Sequence, residues 1–261
     1  MPQQSVLERP VDRARISDAE WELRVMLAAA YRLVDYFGWT EQIYGHLTAR
    51  VPGPEAHFLI NPWGLNYDEV TASNLVKIDV DGKIVLDNGY PVNYAGFVIH
   101  SAIHMTRGAE NHVVMHTHTT AGMAVAAIRE GVLPVSMFGT VFHNRIGYHD
   151  YEGASLYLDE RERIVKSLGP HKALVLRNHG LLVVGKTVPE GFLRLYRLER
   201  ACQVQVAASA AGTLNIVTQD VADRSAADLD SYQEMQPAAE GEIEFAALMR
   251  KLDRIDDSYR R

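Results

Sequence analysis

Val113-Val114-Met115-His116-Thr117-His118 is the stretch on which the reading of this chain turns. Three apolar residues run into a His-x-His pair. In an extended strand, residues two apart share a face, so His116 and His118 can reach one ion from the same side. A third ligand must then come from elsewhere in the chain. His179 is the best placed, because Asn178-His179-Gly180 is a tight turn between the apolar runs 173–176 and 181–184, which together predict a β-hairpin. A turn tip can aim a side chain into a cleft. Three protein ligands with a fourth position open to water or substrate is the pattern of a catalytic divalent site, whereas structural sites close with four ligands, usually including cysteines. Cys202 is the one cysteine in the sequence, so a closed cysteine-based site is excluded.

On either side of this stretch the pattern is mixed. Ser17 and Glu20 have the capping-box spacing, and Leu23, Met26, Leu27, Tyr31 and Val34 recur at helical intervals, predicting a helix over 18–37 that stops at Gly38. Residues 44–87, broken by Pro52, Gly53, Pro54, Pro62 and Gly64, read as short strands; Asp81-Gly82 between 75–80 and 83–86 is the strongest hairpin signal. Helices are predicted over 95–106, over 119–128 directly after the histidine strand, and over 153–168. Another opens at Thr187, with Pro189 in its first turn and Glu190 at the capping-box position, and runs to about residue 211. The segment 213–241, rich in Asp, Ser and Gln, reads as an extended surface arm; a short helix over 243–252 and a frayed Arg-rich tail follow. The predicted organisation is an arm over 1–16, one α/β domain over 17–212, and a C-terminal arm over 213–261.

With 261 residues, 47% of them hydrophobic and 23% charged, the chain can bury one sizeable core. A net charge of −7 argues against a nucleic-acid partner, which would need clustered Lys and Arg. Residues 1–14 have no apolar core of a signal peptide, and no run approaches 18 apolar residues, so no membrane span is expected. The lone cysteine fits a reducing, cytoplasmic compartment.

Gly45-His46-Leu47-Thr48-Ala49-Arg50, Ile60-Asn61-Pro62-Trp63-Gly64, 95–104, His116-Thr117-His118 and Asn178-His179-Gly180-Leu181, in this order, resemble the class II aldolase/adducin family. The likeness covers roughly residues 20–210. It implies a three-layer α/β/α domain with a central, mainly antiparallel sheet and a homotetramer with sites near subunit interfaces. It also implies a divalent ion on His116, His118 and His179, zinc first, with manganese, cobalt or iron as alternatives. Substrate contacts are implied at His46, Asn61, Gly64 and Asn93. Arg50 either holds a substrate carboxylate through its bidentate fork or braces the first helix against the sheet.

Where the family's sugar-phosphate aldolases carry an acid/base Glu, this chain reads Ala95-Gly96-Phe97. Val92-Asn93-Tyr94 replaces the Ser-Ser of their phosphate cradle, His46 replaces an Asn, and the tyrosine proton donor of some aldolases maps near Phe138, which cannot donate. A phosphorylated sugar therefore fits poorly. The expected activity is a metal-dependent carbon–carbon lyase, decarboxylase or retro-aldolase, on a small non-phosphorylated oxo, hydroxy or hydroxyaromatic carboxylate. Proton return is open among His143, His149, Tyr151 and His100, each of which can equally be a packing residue. Sugar-phosphate aldolase or epimerase activity, or a non-catalytic adducin-like interaction module, are the alternatives, because fold alone does not choose a reaction.

Overall fold

The computed structural model describes residues 10–106, 108–153 and 158–261. Its first helix, α1 (Asp18–Tyr36), begins where the capping residues place it, with the Ser17 hydroxyl accepting from the Glu20 amide at 3.2 Å. The described strands form one sheet. They are β1 (His46–Arg50), β2 (Phe58–Ile60), β3 (Val76–Ile78), β4 (Ile84–Leu86), β5 (Val113–Thr117), β6 (Gly147–His149), β7 (Ala173–Leu176) and β8 (Gly180–Gly185). Their order is β4-β3-β2-β1-β5-β8-β7-β6, antiparallel throughout except for β6 beside β7.

Both faces of the sheet are covered, which explains why β5, β7 and β8 are apolar without strict alternation. Val113, Met115, Leu181, Val183, Ala173 and Val175 face a core shared with α1, α6 (Val188–Ala211) and α8 (Glu242–Ile255). Val114, Leu182, Val184, Leu174 and Leu176 face Ile99 and Ile103 of α2 (Tyr94–His104) and Ile164 and Leu168 of α5 (Glu160–Leu168). The expected three-layer α/β/α architecture with a mainly antiparallel sheet is what the chain adopts. The Asp81-Gly82 hairpin is also present, with Gly82 at φ +81° and a register shift at Lys77/Ile78.

Three expectations need correction. The helix predicted over 153–168 begins at Glu160, and residues 154–157 of that prediction lie outside the described residues, as do 1–9 of the N-terminal arm. The supposedly extended segment 213–241 holds a 16-residue helix, α7 (Gln219–Glu234). Its buried face is only Ala222 and Ala226, lying against the short α4 (Met137–Val141), itself not predicted. So thin an apolar stripe gives the sequence pattern little to register. The tail is not frayed: Tyr259 is fully buried, its carbonyl accepts from the Ala72 amide at 2.9 Å, and its hydroxyl donates to Asp253 at 2.6 Å.

Arg24 interrupts the apolar stripe of α1 with a completely buried guanidinium. It pairs with Glu20 at 3.0 Å and donates to the carbonyls of Ala72 and Leu75, while Lys77 reaches the other Glu20 oxygen at 2.8 Å. This ties α1 to the loop before β3. Removing one partner of a buried ion pair strands the other, so Arg24→Ala is expected to lower unfolding stability by about 3 kcal/mol in denaturant titration; a loss below about 1 kcal/mol would show that the pair carries no weight.

Candidate metal centre

The register of the sheet assembles the site. His46 of β1 and Leu182 of β8 stand directly across from His116 on either side, and His118 follows two residues later at the mouth of α3 (Thr120–Ala126). His179 comes from the β7–β8 turn, which is held by Asn178 in the left-handed region at φ +57° and by the His179 amide donating to Leu176 at 3.0 Å. The three imidazoles converge: His118 Nε2 lies 2.7 Å from His116 Nε2 and 3.0 Å from His179 Nε2. Among the described residues this is the one group of three or more His, Cys, Asp or Glu with metal-ligand spacing.

The donor set fits a divalent cation. His116 Nδ1–H donates to the Leu181 carbonyl at 2.8 Å, which fixes the tautomer and leaves Nε2 bare for coordination. Burial holds the His116, His118 and His179 imidazoles below the usual range, His179 at about 4, so each is neutral at pH 7 and offers a lone pair. His116 Nε2 is thus an acceptor, with the Nε2 atoms of His118 and His179 close enough to share one cation with it. The backbone is cut to fit: a Cβ at Gly180 would lie 2.5 Å from the Thr117 carbonyl and within 3.3 Å of the His116 and His118 rings.

The sequence model of the family described as "Class II Aldolase and Adducin N-terminal domain" matches residues 25–206. The chain belongs to the class II aldolase and adducin family. It is 46% identical to the "Putative aldolase class 2 protein" of Caulobacter vibrioides, over 95% of each chain. Alpha-adducin of Rattus norvegicus is 44% identical over 94% of this chain, which matches 36% of that longer protein. The crystal structure of an aldolase II superfamily protein from Pseudomonas syringae superposes with a TM-score of 0.88, at 47% identity over 96% of this chain and all of the other. L-fuculose 1-phosphate aldolase from Glaciozyma antarctica superposes with a TM-score of 0.78 at 28% identity, over 93% of each chain.

The other residues singled out from the sequence divide into those the fold brings to the three histidines and those it does not. His46 is beside them, its ring centroid 5.1 Å from that of His116. His149 and Tyr151 line one small cavity with His179, together with Glu152 and Glu160. His149 is buried; Nδ1 meets the Ser167 hydroxyl at 3.0 Å, and Nε2 has no hydrogen-bond partner among the described residues, with Glu160 at 3.5 Å. Tyr151 is exposed, its ring 6.4 Å from that of His179.

Arg50 is at the opposite end of β1 from His46, roughly 13 Å along the strand, beside Pro52 and His112. Within this chain it cannot clamp a carboxylate at the histidines. His143 bonds Gln219 of α7 and does not line the cavity at His179. His100 is enclosed between His46 and Thr48. Asn61 is buried and bonded to the Tyr31 hydroxyl at 3.0 Å, which also joins the backbone of Leu47, so it braces the start of β1. Gly64 occupies a turn at φ +105°, and the Asn93 carbonyl caps α2 by accepting from the Phe97 amide. A groove of about 750 Å³ between α6 and α7 is lined by paired charges such as Arg194 with Glu240 and holds none of the three histidines.

Four residues to which the sequence assigned no part in the site contribute to it: Gly96, Thr48, His104 and Glu41. Gly96 faces the His46 ring, where a Cβ would lie 2.5 Å from Cδ2, so the position in the aldolase acid/base stretch is kept open for an imidazole. Thr48 and His104 continue inward from His100, at 2.7 and 2.6 Å from the Thr48 hydroxyl to the two rings. Glu41, in the turn before β1, is the carboxylate whose field raises the His118 pKa against the lowering by burial. None has a periodic signature; only the pairing of β1 under α2 brings them together.

Gly180→Ala is expected to weaken zinc affinity at least about tenfold, read by chelator competition, with far-ultraviolet circular dichroism unchanged. Unaltered affinity would mean that the turn does not set the histidine geometry.

Proposed function

We propose that this protein is a divalent-metal-dependent carbon–carbon lyase. Its substrate is a small, non-phosphorylated oxo or hydroxy carboxylate, or a hydroxyaromatic one, cleaved by decarboxylation or by a retro-aldol step. The observation that carries this reading is the convergence of three neutral imidazoles with one tautomer fixed by Leu181. His116, His118 and His179 would hold the ion, zinc by first choice, which when bound supplies a Lewis acid for the substrate's oxygen pair and for enolate-like charge.

The chain's own groups do the rest. The acid that an aldolase would use at residues 95–97 is replaced by glycine and an imidazole ring, which disfavours deprotonating a sugar hydroxyl there. Decarboxylation needs no base on the way in, only a proton returned afterwards. His149 and Tyr151 would return it, a role supported by their sharing a cavity with His179. We place the protein in the cytoplasm on its buried, unpaired Cys202 and take the homotetramer from the family resemblance alone.

One observation favours a second reading: over the matched region alpha-adducin is 44% identical to this chain, against 46% for the Caulobacter relative, so a protein-interaction module that retains the fold is the alternative. Likeness to L-fuculose 1-phosphate aldolase keeps sugar-phosphate cleavage as the runner-up among enzymes.

The test is release of CO2 or aldehyde from a panel of 2-oxo, 2-hydroxy and ortho-hydroxyaromatic acids, with fuculose and ribulose phosphates alongside. Turnover on the acids, abolished by EDTA and restored by zinc or manganese, is expected. Tyr151→Phe or His149→Gln should reduce it about a hundredfold with metal retained. Faster turnover of the sugar phosphates would replace this reading with the runner-up, and no turnover by metal-loaded protein would favour the interaction module.

A further inference from the structure

Behind His116 lies a second row of imidazoles with a single hydrogen-bonding sense. His104 Nδ1 is 2.8 Å from the Asn111 carbonyl, which can only accept, so His104 carries its proton on Nδ1. Its Nε2 is then an acceptor and takes the one proton of the Thr48 hydroxyl, at 2.6 Å. With that proton spent, Thr48 Oγ1 accepts from His100 Nδ1–H at 2.7 Å. His100 Nε2 in turn accepts from His46 Nδ1–H at 2.8 Å. All four side chains are buried, an environment that favours the neutral imidazole. Each link leaves the next one no choice of tautomer.

The last atom of the row is His46 Nε2. It has no hydrogen bond to another described residue, and its ring stands beside His116 with His118 and His179 as electrostatic neighbours. Gly96 packs against this ring, where a Cβ would lie 2.5 Å from Cδ2, and the Nδ1 bond to His100 sets the ring's orientation. We propose that the Asn111–His104–Thr48–His100 row fixes His46 as a hydrogen-bond acceptor at the edge of the three-histidine centre, so that the group bound against it is a hydroxyl or another neutral donor and not a phosphate dianion. An acceptor facing an acceptor leaves both desolvated and unpaired, which is how a polar site rejects the wrong ligand most strongly. His46 is thus a specificity-determining residue, and Thr48, His100 and His104 are positioning residues acting through it. The substrate-class part rests on the lyase reading above; the tautomer part does not.

Neutron diffraction from perdeuterated, zinc-loaded protein reads the tautomers directly. Deuterium on Nδ1 of His46, His100 and His104, with His46 Nε2 bare, is expected; deuterium on His46 Nε2 overturns the proposal. Calorimetry at pH 8 with glycolate, which has a hydroxyl donor, and methyl phosphate, which has none, reads the consequence. The zinc-loaded wild type is expected to prefer glycolate at least about tenfold. His46→Asn, whose amide can donate, should reverse that ratio, and Thr48→Val, which cuts the row and keeps the His46 ring, should shrink it. A ratio unchanged in both variants overturns the proposal. Failure of the lyase reading would instead appear as absent turnover with the tautomers as described.

Discussion

The site depends on one register. β5 pairs with β1 and β8 so that His46, His116 and Leu182 form a row across the sheet facing α2. A slip of one residue would turn His116 into the α1 and α6 core and bring Met115 to the site. What prevents the slip is burial on both faces: Val113 and Met115 are committed to one core and Val114 to the other. The apolar packing that stabilises the sheet is therefore also what aims the histidines, and the β7–β8 turn that adds His179 is an extension of the same pairing.

That register has a further consequence on the α2 side. Once His46 is fixed opposite His116, its ring occupies the space in front of Gly96, and no side chain at residue 96 could coexist with it. The chain has no acid over 95–97, and the glycine in that stretch is where the His46 ring packs. The buried row that ends on His46 would be costly to bury if any member lacked a partner, yet each contact along it joins one donor to one acceptor. Such a row is rigid in the positions of its protons as well as its atoms, and it turns a packing arrangement into a recognition element.

Much of this was legible in the sequence, for identifiable reasons. The strand of β5, the capped α1 and α6, the Asp81-Gly82 hairpin and the three converging histidines all rest on local signals: apolar runs, capping spacings, turn residues and His-x-His. The family resemblance supplied the layer order that local patterns could not. What escaped was set by tertiary pairing. α7 buries little more than two alanines; Tyr259 is tied down by a loop nearly two hundred residues earlier; Arg24 is a charge inside an apolar stripe; and Arg50 is carried away from His46 by the length of one strand. Among the candidates for proton transfer, sequence order gave no ranking, because only the cavity at His179 separates His149 and Tyr151 from His143 and His100.

The central claim is that His116, His118 and His179 form an open site for a divalent ion. Elemental analysis by mass spectrometry of untagged protein, purified without chelator, beside a His116→Ala variant, tests it most directly. About one zinc or other divalent ion per chain, lost in the variant while the fold is retained, is the predicted result. No ion in the wild type, even after incubation with zinc or manganese, would contradict it and remove the basis of the lyase reading.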